Sequence, residues 1–176
     1  MTENERVFAI GDRVLLLDVK RRRYLVELRE GGEFHSHAGF VPHADIVGRP
    51  EGIVVESTKS AEYTVLRPTL EDFVLEMPRG AQVIYPKDLA PILMLADIGP
   101  GMRVFESGLG SGALSTAMLR AGAEIVGYEL REDFANRAQI NVRSFLGAEA
   151  LDRYRVSVAD SYAGIDTELG PFDRIV

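Results

Sequence analysis

Three alternating glycines form the segment of the sequence best suited to bind a ligand. Gly108, Gly110 and Gly112 lie in VFESGLGSGAL, between a predicted buried strand and a predicted helix. Glycine lets the backbone turn tightly and approach a ligand without a clash from a Cβ atom. The free backbone amides at the start of the helix can then hold a polar or anionic group. The spacing predicts a ligand-binding loop, with a purely structural strand-to-helix turn as the alternative.

Acidic residues at the ends of the predicted strands bear on which ligand the loop takes. Glu129 ends the second strand, where a carboxylate accepts hydrogen bonds from ribose hydroxyls, and it suits NAD and S-adenosylmethionine equally. Glu106, two residues before the first glycine, would repel a pyrophosphate but attract the amino group of a methionine. Asp160 follows the third strand and can accept from an adenine amino group or cap a turn. Together the acids favour S-adenosylmethionine, and NAD stays the alternative because the glycine spacing also fits the dinucleotide pattern.

The first part of the chain is rich in short apolar runs and turn residues. This pattern predicts a small all-β N-terminal domain over residues 1–66, barrel-like or sandwich-like, with strands at 13–18, 24–29, 53–56 and 63–66. The charged sequence KRRR at 20–23 forms the turn between the first two strands. A linker with a short helix at 70–76 is predicted over residues 67–82.

From residue 83 onwards the predicted elements alternate between helix and strand. Helices are expected from Pro86 towards Ile98, at 113–121 and at 131–146, and strands at 103–106, 124–129, 154–158 and 172–176. This order requires a parallel sheet with helices on both faces, so the predicted fold class of 83–176 is α/β. Because a fourth strand would leave an unpaired apolar edge, we expect this domain to be truncated and the chain to be a fragment.

Composition bears on the compartment and the partners. The chain has no cysteine, which excludes disulfides and thiolate metal sites and suits a cytoplasmic protein. No apolar run is long enough to span a membrane. The net charge of −7 gives no support for nucleic-acid binding, although a local basic patch is sufficient for phosphate contacts. The densest such patch is KRRR at 20–23, whose simpler interpretation is a solvated hairpin turn.

Several stretches of sequence narrow the prediction to one family. RGAQVIYPKD at 79–88, followed by PGMRVFESGLGSGAL, resembles the bacterial and archaeal tRNA (adenine-58-N1)-methyltransferases, which are class I enzymes dependent on S-adenosylmethionine. FHSHAG at 34–39 and VLRPT at 65–69 resemble the small β-domain of the same family. The resemblance covers essentially the whole chain. It implies a Rossmann-like catalytic domain behind the small β-domain. It also implies methyl transfer to N1 of adenine 58 in the T-loop of tRNA, by an enzyme that is usually a homotetramer.

The resemblance also implies roles for individual residues. Glu129 would hold the ribose of the cofactor, and Asp160 with Ser161 would hold its adenine. The methionine part would be held by Gly108, Leu109, Gly110, Ser111, Gly112, Ala113, Leu114 and Ser115. The stretch between cofactor and target base would consist of Gln82, Val83, Ile84 and Tyr85. Phe134 stands where relatives often carry a polar residue, so no polar cofactor contact is expected there.

Methyl transfer needs alignment more than an elaborate catalytic set, because the methyl carbon of a sulfonium is already electrophilic. Adenine N1 lies on the Watson–Crick edge, so the base must leave its stack. Tyr85 is the candidate for holding the flipped base, and a core tyrosine that lines the cleft wall is the alternative. The family's catalytic aspartate ends the fourth strand and is expected beyond Val176, whereas Asp173 begins that strand. The fragment alone is therefore expected to be inactive.

Two rival functions and a metal site fit parts of the sequence. An NAD-dependent oxidoreductase would use the same glycines, and a non-catalytic tRNA-binding paralogue subunit would keep the fold without the reaction. His35, His37 and His43 suggest a metal site, but no acidic ligand is convincingly placed beside them, so no metal is expected. The sequence therefore predicts an enzyme with S-adenosylmethionine as cofactor and tRNA as partner, without a membrane or a metal.

Overall fold

The computed structural model describes residues 7–80 and 82–176. The chain divides into two units, Met1–Glu76 and Met77–Val176. The boundary lies inside the predicted 67–82 linker, so the helix expected there belongs to the first unit. The linker is thus divided between the two units and does not stand apart from them.

The first unit is an antiparallel β structure that ends in one short helix. Its elements are β1 (Arg13–Asp18), β2 (Arg23–Glu27), β3 (Glu33–Ser36), β4 (Gly39–Pro42), β5 (Val54–Glu56), β6 (Glu62–Leu66) and α1 (Leu70–Glu76). One sheet has the order β2-β1-β6-β5, and β3 pairs with β4 as a separate hairpin. Strand pairing among the described residues therefore gives an open sheet plus a hairpin, where the sequence predicted a barrel-like module.

Aromatic packing joins the sheet and the hairpin into one core. Tyr24 on β2, Phe34 on β3 and Tyr63 on β6 lie close together, with ring centroids 5.1, 6.2 and 5.4 Å apart. Tilted and edge-to-face pairs at these separations are favourable. Val14 and Leu16, which alternate along β1, are fully buried in the same cluster. The hairpin is therefore held by side-chain packing, which the period-two pattern of β1 supplies from the sheet.

The charged turn between β1 and β2 is built on a carboxylate. Asp18 accepts hydrogen bonds from the backbone amides of Lys20 (2.9 Å) and Arg22 (2.8 Å) and from Nε of Arg22 (2.6 Å). Nη1 of Arg23 donates to Asp72 on α1 at 2.8 Å. The predicted hairpin turn is confirmed, and two of its four basic side chains are held by carboxylates.

The second unit is a parallel sheet connected by helices. Its elements are α2 (Pro86–Leu95), β7 (Arg103–Ser107), α3 (Ala113–Arg120), β8 (Glu124–Glu129), α4 (Glu132–Leu146), β9 (Tyr154–Val158) and β10 (Arg174–Ile175). The predicted alternation of helix and strand is confirmed, although α2 stops short of Ile98 and β10 is shorter than the predicted 172–176. Within residues 7–80 and 82–176, no helix combines the length and the apolarity needed to cross a membrane.

The strand order places a switch point at the carboxyl end of β7. The order is β10-β7-β8-β9 with all neighbours parallel, so the first strand of this sheet lies between the second and the fourth. The chain passes from β7 to β8 on one side, and β10 on the other side of β7 is reached from β9 by a connection that runs back across the sheet. Such a reversal of the strand order opens a crevice at the carboxyl ends of the strands, where α/β folds bind their ligands. Most residues of β7 and β8 are buried, as expected for inner strands of a parallel sheet.

Candidate cofactor-binding site

The three glycines of the loop have different structural roles. All have positive φ angles, 88° at Gly108, 53° at Gly110 and 80° at Gly112, which residues with a Cβ rarely adopt. A Cβ atom added at Gly108 or Gly110 would meet no other atom within 4 Å, so the backbone faces open space there. A Cβ atom at Gly112 would lie 2.9 Å from Cα of Ala138 on α4. Two glycines therefore leave room for a ligand, and the third permits close packing of α4.

Glu129, at the carboxyl end of β8, is bound to the glycine loop. Its side chain is buried, its Oε2 accepts from the backbone amide of Gly110 (3.0 Å) and its Oε1 accepts from that of Arg131 (3.1 Å). Each carboxylate oxygen has a second acceptor position, so both can also accept from ribose hydroxyls. The structure brings the predicted ribose residue and the predicted methionine loop into direct contact.

Glu106 is almost completely enclosed beneath the loop. Its side chain is 2% exposed, and its Oε2 accepts from the hydroxyl of Ser115 at 2.7 Å. The hydroxyl of Tyr154 donates in turn to Oγ of Ser115 at 2.9 Å. Burial raises the pKa of Glu106 to about 8, and burial also raises the pKa of Tyr154 well above its usual value. In the free chain Glu106 is therefore mostly protonated at neutral pH.

The residues after β9 meet the end of β7. Oγ of Ser161 lies 2.7 Å from Oγ of Ser107, the last residue of β7. The carboxylate of Asp160 accepts from the backbone amide of Tyr162 at 2.9 Å and caps the short 3-10 helix Ser161–Ala163. Asp160 is therefore the turn cap that the sequence offered as its alternative role, and because it is also exposed it keeps acceptor positions free for a ligand.

The other predicted loop residues are all buried, namely Leu109, Ser111, Ala113, Leu114 and Ser115. The side chain of Leu109 covers Gly127 on β8, where a Cβ atom would collide with its methyl group. Oγ of Ser111 is enclosed and has no hydrogen-bond partner within residues 7–80 and 82–176. These side chains support the loop from within, so contact with a ligand is left to the backbone.

The predicted target-base stretch immediately precedes α2. Gln82, Ile84 and Tyr85 are exposed, and Val83 is buried. Tyr85 is 42% exposed at the N-cap position of α2, so it does not have the enclosed position of a core tyrosine. Its ring is available for a partner, whereas Val83 can offer only its backbone.

Two residues at the site were not predicted from the sequence. Ser107 reaches the site because it ends β7, a position that the strand prediction, which stopped at Glu106, left out. Asn141 lies on the buried face of α4, and its Nδ2 donates to the carbonyl oxygens of Ser111 (2.9 Å) and Pro78 (2.9 Å). The signal that marks Asn141 is a polar residue directly before Val142, on the apolar side of an amphipathic helix.

The three histidines are engaged by neighbouring groups of the first unit. Nδ1 of buried His43 accepts from the amide of Arg29 at 2.9 Å, and Nε2 of His35 lies 3.1 Å from a carboxylate oxygen of Glu33. Nε2 of His37 lies 3.4 Å from Nη2 of Arg22. In the described part of the chain, no group of three or more His, Asp or Glu side chains is placed to hold a metal ion.

Two protein families match the chain. Residues 7–55 match the TrmI-like N-terminal family, and residues 63–167 match the family described as the tRNA methyltransferase complex GCD14 subunit. The second match covers more than half of the chain. The chain belongs to this tRNA methyltransferase family. The resemblance stated from RGAQVIYPKD and the glycine loop is thereby confirmed.

Relatives within the family extend over most of the chain. It is 44% identical over 139 residues to the tRNA (adenine(58)-N(1))-methyltransferase TrmI of Thermus thermophilus, covering 77% of this chain and 54% of that protein. It is 33% identical over 165 residues to the tRNA (adenine(57)-N(1)/adenine(58)-N(1))-methyltransferase TrmI of Methanocaldococcus jannaschii, covering 92% of this chain and 54% of that protein. The chain thus spans about half the length of these tRNA methyltransferases.

Solved structures share the fold. A SAM-dependent O-methyltransferase from Thermotoga maritima matches with a TM-score of 0.83 and 30% identity, covering 91% of this chain and 60% of that chain. The tRNA (m1A58) methyltransferase TrmI from Aquifex aeolicus matches with a TM-score of 0.75 and 27% identity, covering 91% and 62%. The predicted Rossmann-like class I methyltransferase fold behind an antiparallel N-terminal unit is confirmed.

Proposed function

We propose that this chain carries the cofactor site of an S-adenosylmethionine-dependent tRNA (adenine-58-N1)-methyltransferase. The proposal depends above all on the contact between Glu129 and the amide of Gly110, 3.0 Å long, in a loop whose Gly108 and Gly110 face open space. A ribose held by Glu129 would lie directly against the open part of the loop. The names of the Thermus and Methanocaldococcus relatives support adenine 58 of tRNA as the substrate.

The charges around the loop favour a sulfonium cofactor over a dinucleotide. A pyrophosphate on the loop would lie beside the acidic side chain of Glu129, whereas the cationic amino group of a methionine would favour ionisation of the protonated Glu106. Family membership points the same way, so the NAD-dependent oxidoreductase is not favoured. S-adenosylmethionine, when bound, supplies an electrophilic methyl group, and the task of the protein is to orient it towards the target nitrogen.

Each remaining side chain of the site then has a defined task. Asp160 would accept a hydrogen bond from the amino group of the cofactor's adenine, and Ser161 would help to hold that ring. Ser107 would keep Ser161 in place through the 2.7 Å contact between their hydroxyls. Tyr85, half-exposed before α2, would stack on the flipped target base. Gln82 and Ile84, also exposed, would line the approach to it.

The proposal extends to the partners of the complete protein. tRNA binding would use Lys20 and Arg21 of the β1–β2 turn, because both are exposed while Arg22 and Arg23 are bound to carboxylates. A homotetramer is proposed from the resemblance, and a cytoplasmic location from the absence of cysteine in the sequence. Size-exclusion chromatography with light scattering of the complete protein tests the tetramer.

Calorimetric titration of this chain with S-adenosylhomocysteine and with NADH tests the cofactor. We expect micromolar binding of S-adenosylhomocysteine only. Gly110→Ala should lower that affinity about tenfold or more, because a methyl group would enter the space in front of the loop. Gly101→Ala is the matched control, since Gly101 also has a positive φ (78°) and open surroundings but lies outside the loop.

The two substitutions introduce similar backbone strain, so both should lower the melting temperature by similar amounts. Only Gly110→Ala should weaken binding. Binding of NADH alone, or equal loss of affinity in both variants, would contradict the proposed site.

A further inference from the structure

One face of α4 contacts two separate segments of the second unit. Phe134, Ala138 and Asn141 follow one another at intervals of four and three residues, which places them on the same side of the helix. A Cβ atom on Gly80 would lie 3.1 Å from the ring of Phe134, and one on Gly112 would lie 2.9 Å from Cα of Ala138. The face therefore packs against the 78–80 segment, which leads into Tyr85, and against the glycine loop.

Asn141 contacts both segments. Its side chain is completely buried, and its Nδ2 donates to the carbonyl oxygen of Pro78 (2.9 Å) and to that of Ser111 (2.9 Å). An asparagine NH2 group has two hydrogens, so each carbonyl takes one. A single amide therefore joins the backbone of the glycine loop to the backbone that leads into the target-base stretch.

All the hydrogen bonds of the Asn141 side chain are made by its NH2 group. Oδ1 of Asn141 and Oγ of Ser111 are both buried without a hydrogen-bond partner in the described part of the chain. An apolar side chain of similar size would avoid the cost at Oδ1, but it would leave the carbonyl oxygens of Pro78 and Ser111 without this donor. What Asn141 adds is the link between two segments, so its role is to be sought in their relative position.

We propose that Asn141 is a positioning residue that couples occupancy of the glycine loop to the order of the segment carrying Tyr85. A ligand held against Gly108 and Gly110 restrains the backbone at Ser111, and the shared NH2 group of Asn141 transmits this restraint to Pro78. The coupling rests on the proposed function, in which the loop holds the cofactor and the segment meets the target base. Cofactor binding then prepares the surface on which the base is received.

Hydrogen exchange of this chain, with and without S-adenosylhomocysteine, tests the coupling. In the wild type the ligand should slow exchange of amides in the 108–112 loop and in the 82–85 stretch. Asn141→Leu keeps the size but has no donor. In this variant the ligand should still protect the loop, while ligand-induced protection of the 82–85 stretch falls about tenfold, the effect expected from losing the hydrogen bond to Pro78. Asn141→Ala provides the same test if the leucine variant does not fold.

Two further variants separate coupling from packing. Phe134→Ala removes the ring that lies against Gly80 and under the guanidinium of Arg131 (3.8 Å), but it removes no hydrogen bond between the two segments. It should therefore speed exchange near Gly80 in both states and leave the ligand-induced change intact. Ser144→Ala is the control on the same helix, since Oγ of Ser144 donates only to the carbonyl oxygen of Asn141 (3.1 Å). It should leave both segments at wild-type protection.

The outcomes distinguish this inference from the proposed function. Undiminished protection of the 82–85 stretch in Asn141→Leu overturns the coupling, as does a uniform loss of protection over the whole second unit. Failure of the wild type to bind S-adenosylhomocysteine overturns the proposed cofactor. The coupling is then judged in the free chain, where Asn141→Leu must speed exchange at both segments and nowhere else in the second unit.

Discussion

Replacement of Glu106 by glutamine should stabilise the chain relative to the wild type, by an amount that grows as the pH rises. The folded chain raises the pKa of Glu106 from 4.5 to about 8, chiefly because the carboxyl group is buried. Between these two values the folded state keeps a proton that the unfolded state has lost, so the free energy of unfolding falls as the pH rises. Each pH unit costs about 1.4 kcal/mol, which gives about 3 kcal/mol at pH 7 and about 5 kcal/mol above pH 8. Glutamine carries no charge, so Glu106→Gln removes this cost.

The informative quantity is the difference between the two proteins, because their other titrating groups cancel. Tyr154, which is linked to Glu106 through the hydroxyl of Ser115, has a pKa well above its usual value and stays neutral over the range. The carboxylate of Glu129 belongs to both proteins. The difference in unfolding free energy should therefore rise with a slope of about 1.4 kcal/mol per pH unit from pH 5 to pH 8, and be flat above that. How well glutamine itself fits beside Ser115 shifts the whole curve but not its slope.

Urea unfolding at pH 5 to 9 measures this difference. Detection by hydrogen exchange of the amides in 103–107 and 124–129 restricts the measurement to the second unit. Parallel stability curves for the two proteins would refute the reasoning that burial holds Glu106 protonated. A second assay tests its proposed partner. If the amino group of S-adenosylhomocysteine ionises Glu106, binding at pH 7 releases a proton, detectable by calorimetry in buffers of different ionisation enthalpy. Glu106→Gln should bind more weakly and release none.

Two predictions concern the complete protein and its RNA substrate. Joint replacement of Lys20 and Arg21 by alanine should weaken tRNA binding and reduce the slope of log K against log salt by about two. Arg23→Ala is the control, because the Arg23 side chain is bound to Asp72 and its loss should chiefly destabilise the first unit. Unchanged tRNA affinity of the double variant in filter binding would leave the turn with a structural role only. Tyr85→Ala should slow formation of 1-methyladenosine about tenfold or more, measured by mass spectrometry of the tRNA, with the affinity for S-adenosylhomocysteine unchanged; if the two fall together, Tyr85 acts on the cofactor and not on the base.

Local sequence signals were sufficient for the elements and for part of the site. The contact between Glu129 and Gly110 follows from two facts visible in the sequence, a carboxylate at the end of one parallel strand and a glycine loop after its neighbour. Parallel strands in one sheet end at the same edge, so such residues meet whatever the details of packing. The same reasoning could not show that Gly112 differs from Gly108 and Gly110, because that depends on how closely α4 approaches the loop.

What escaped prediction depends on contacts between distant parts of the chain. The pairing of Ser107 with Ser161 requires the exact end of β7 and the path taken after β9. The packing of Tyr24, Phe34 and Tyr63 brings together three strands, β2, β3 and β6, whose contact the regular spacing of strands and turns did not indicate. In both cases the deciding quantity is a distance between side chains that no local pattern encodes.

Glu106 and Asn141 show the same conflict between stability and order within the site. Each is a buried polar side chain directly behind the glycine loop, and each carries a cost, an enclosed carboxyl group in one case and an unpartnered Oδ1 in the other. Glutamine would remove the cost of the enclosed carboxyl group at Glu106, whereas an apolar residue at 141 would leave the carbonyl oxygens of Pro78 and Ser111 without their donor. Both side chains contact residues of the loop, Ser115 and Ser111, and the cost at Glu106 falls where a ligand would recover it by ionising the carboxyl group. The gain in stability from Glu106→Gln should therefore be accompanied by a loss of ligand affinity. The ligand should stabilise the wild type more than it stabilises Glu106→Gln.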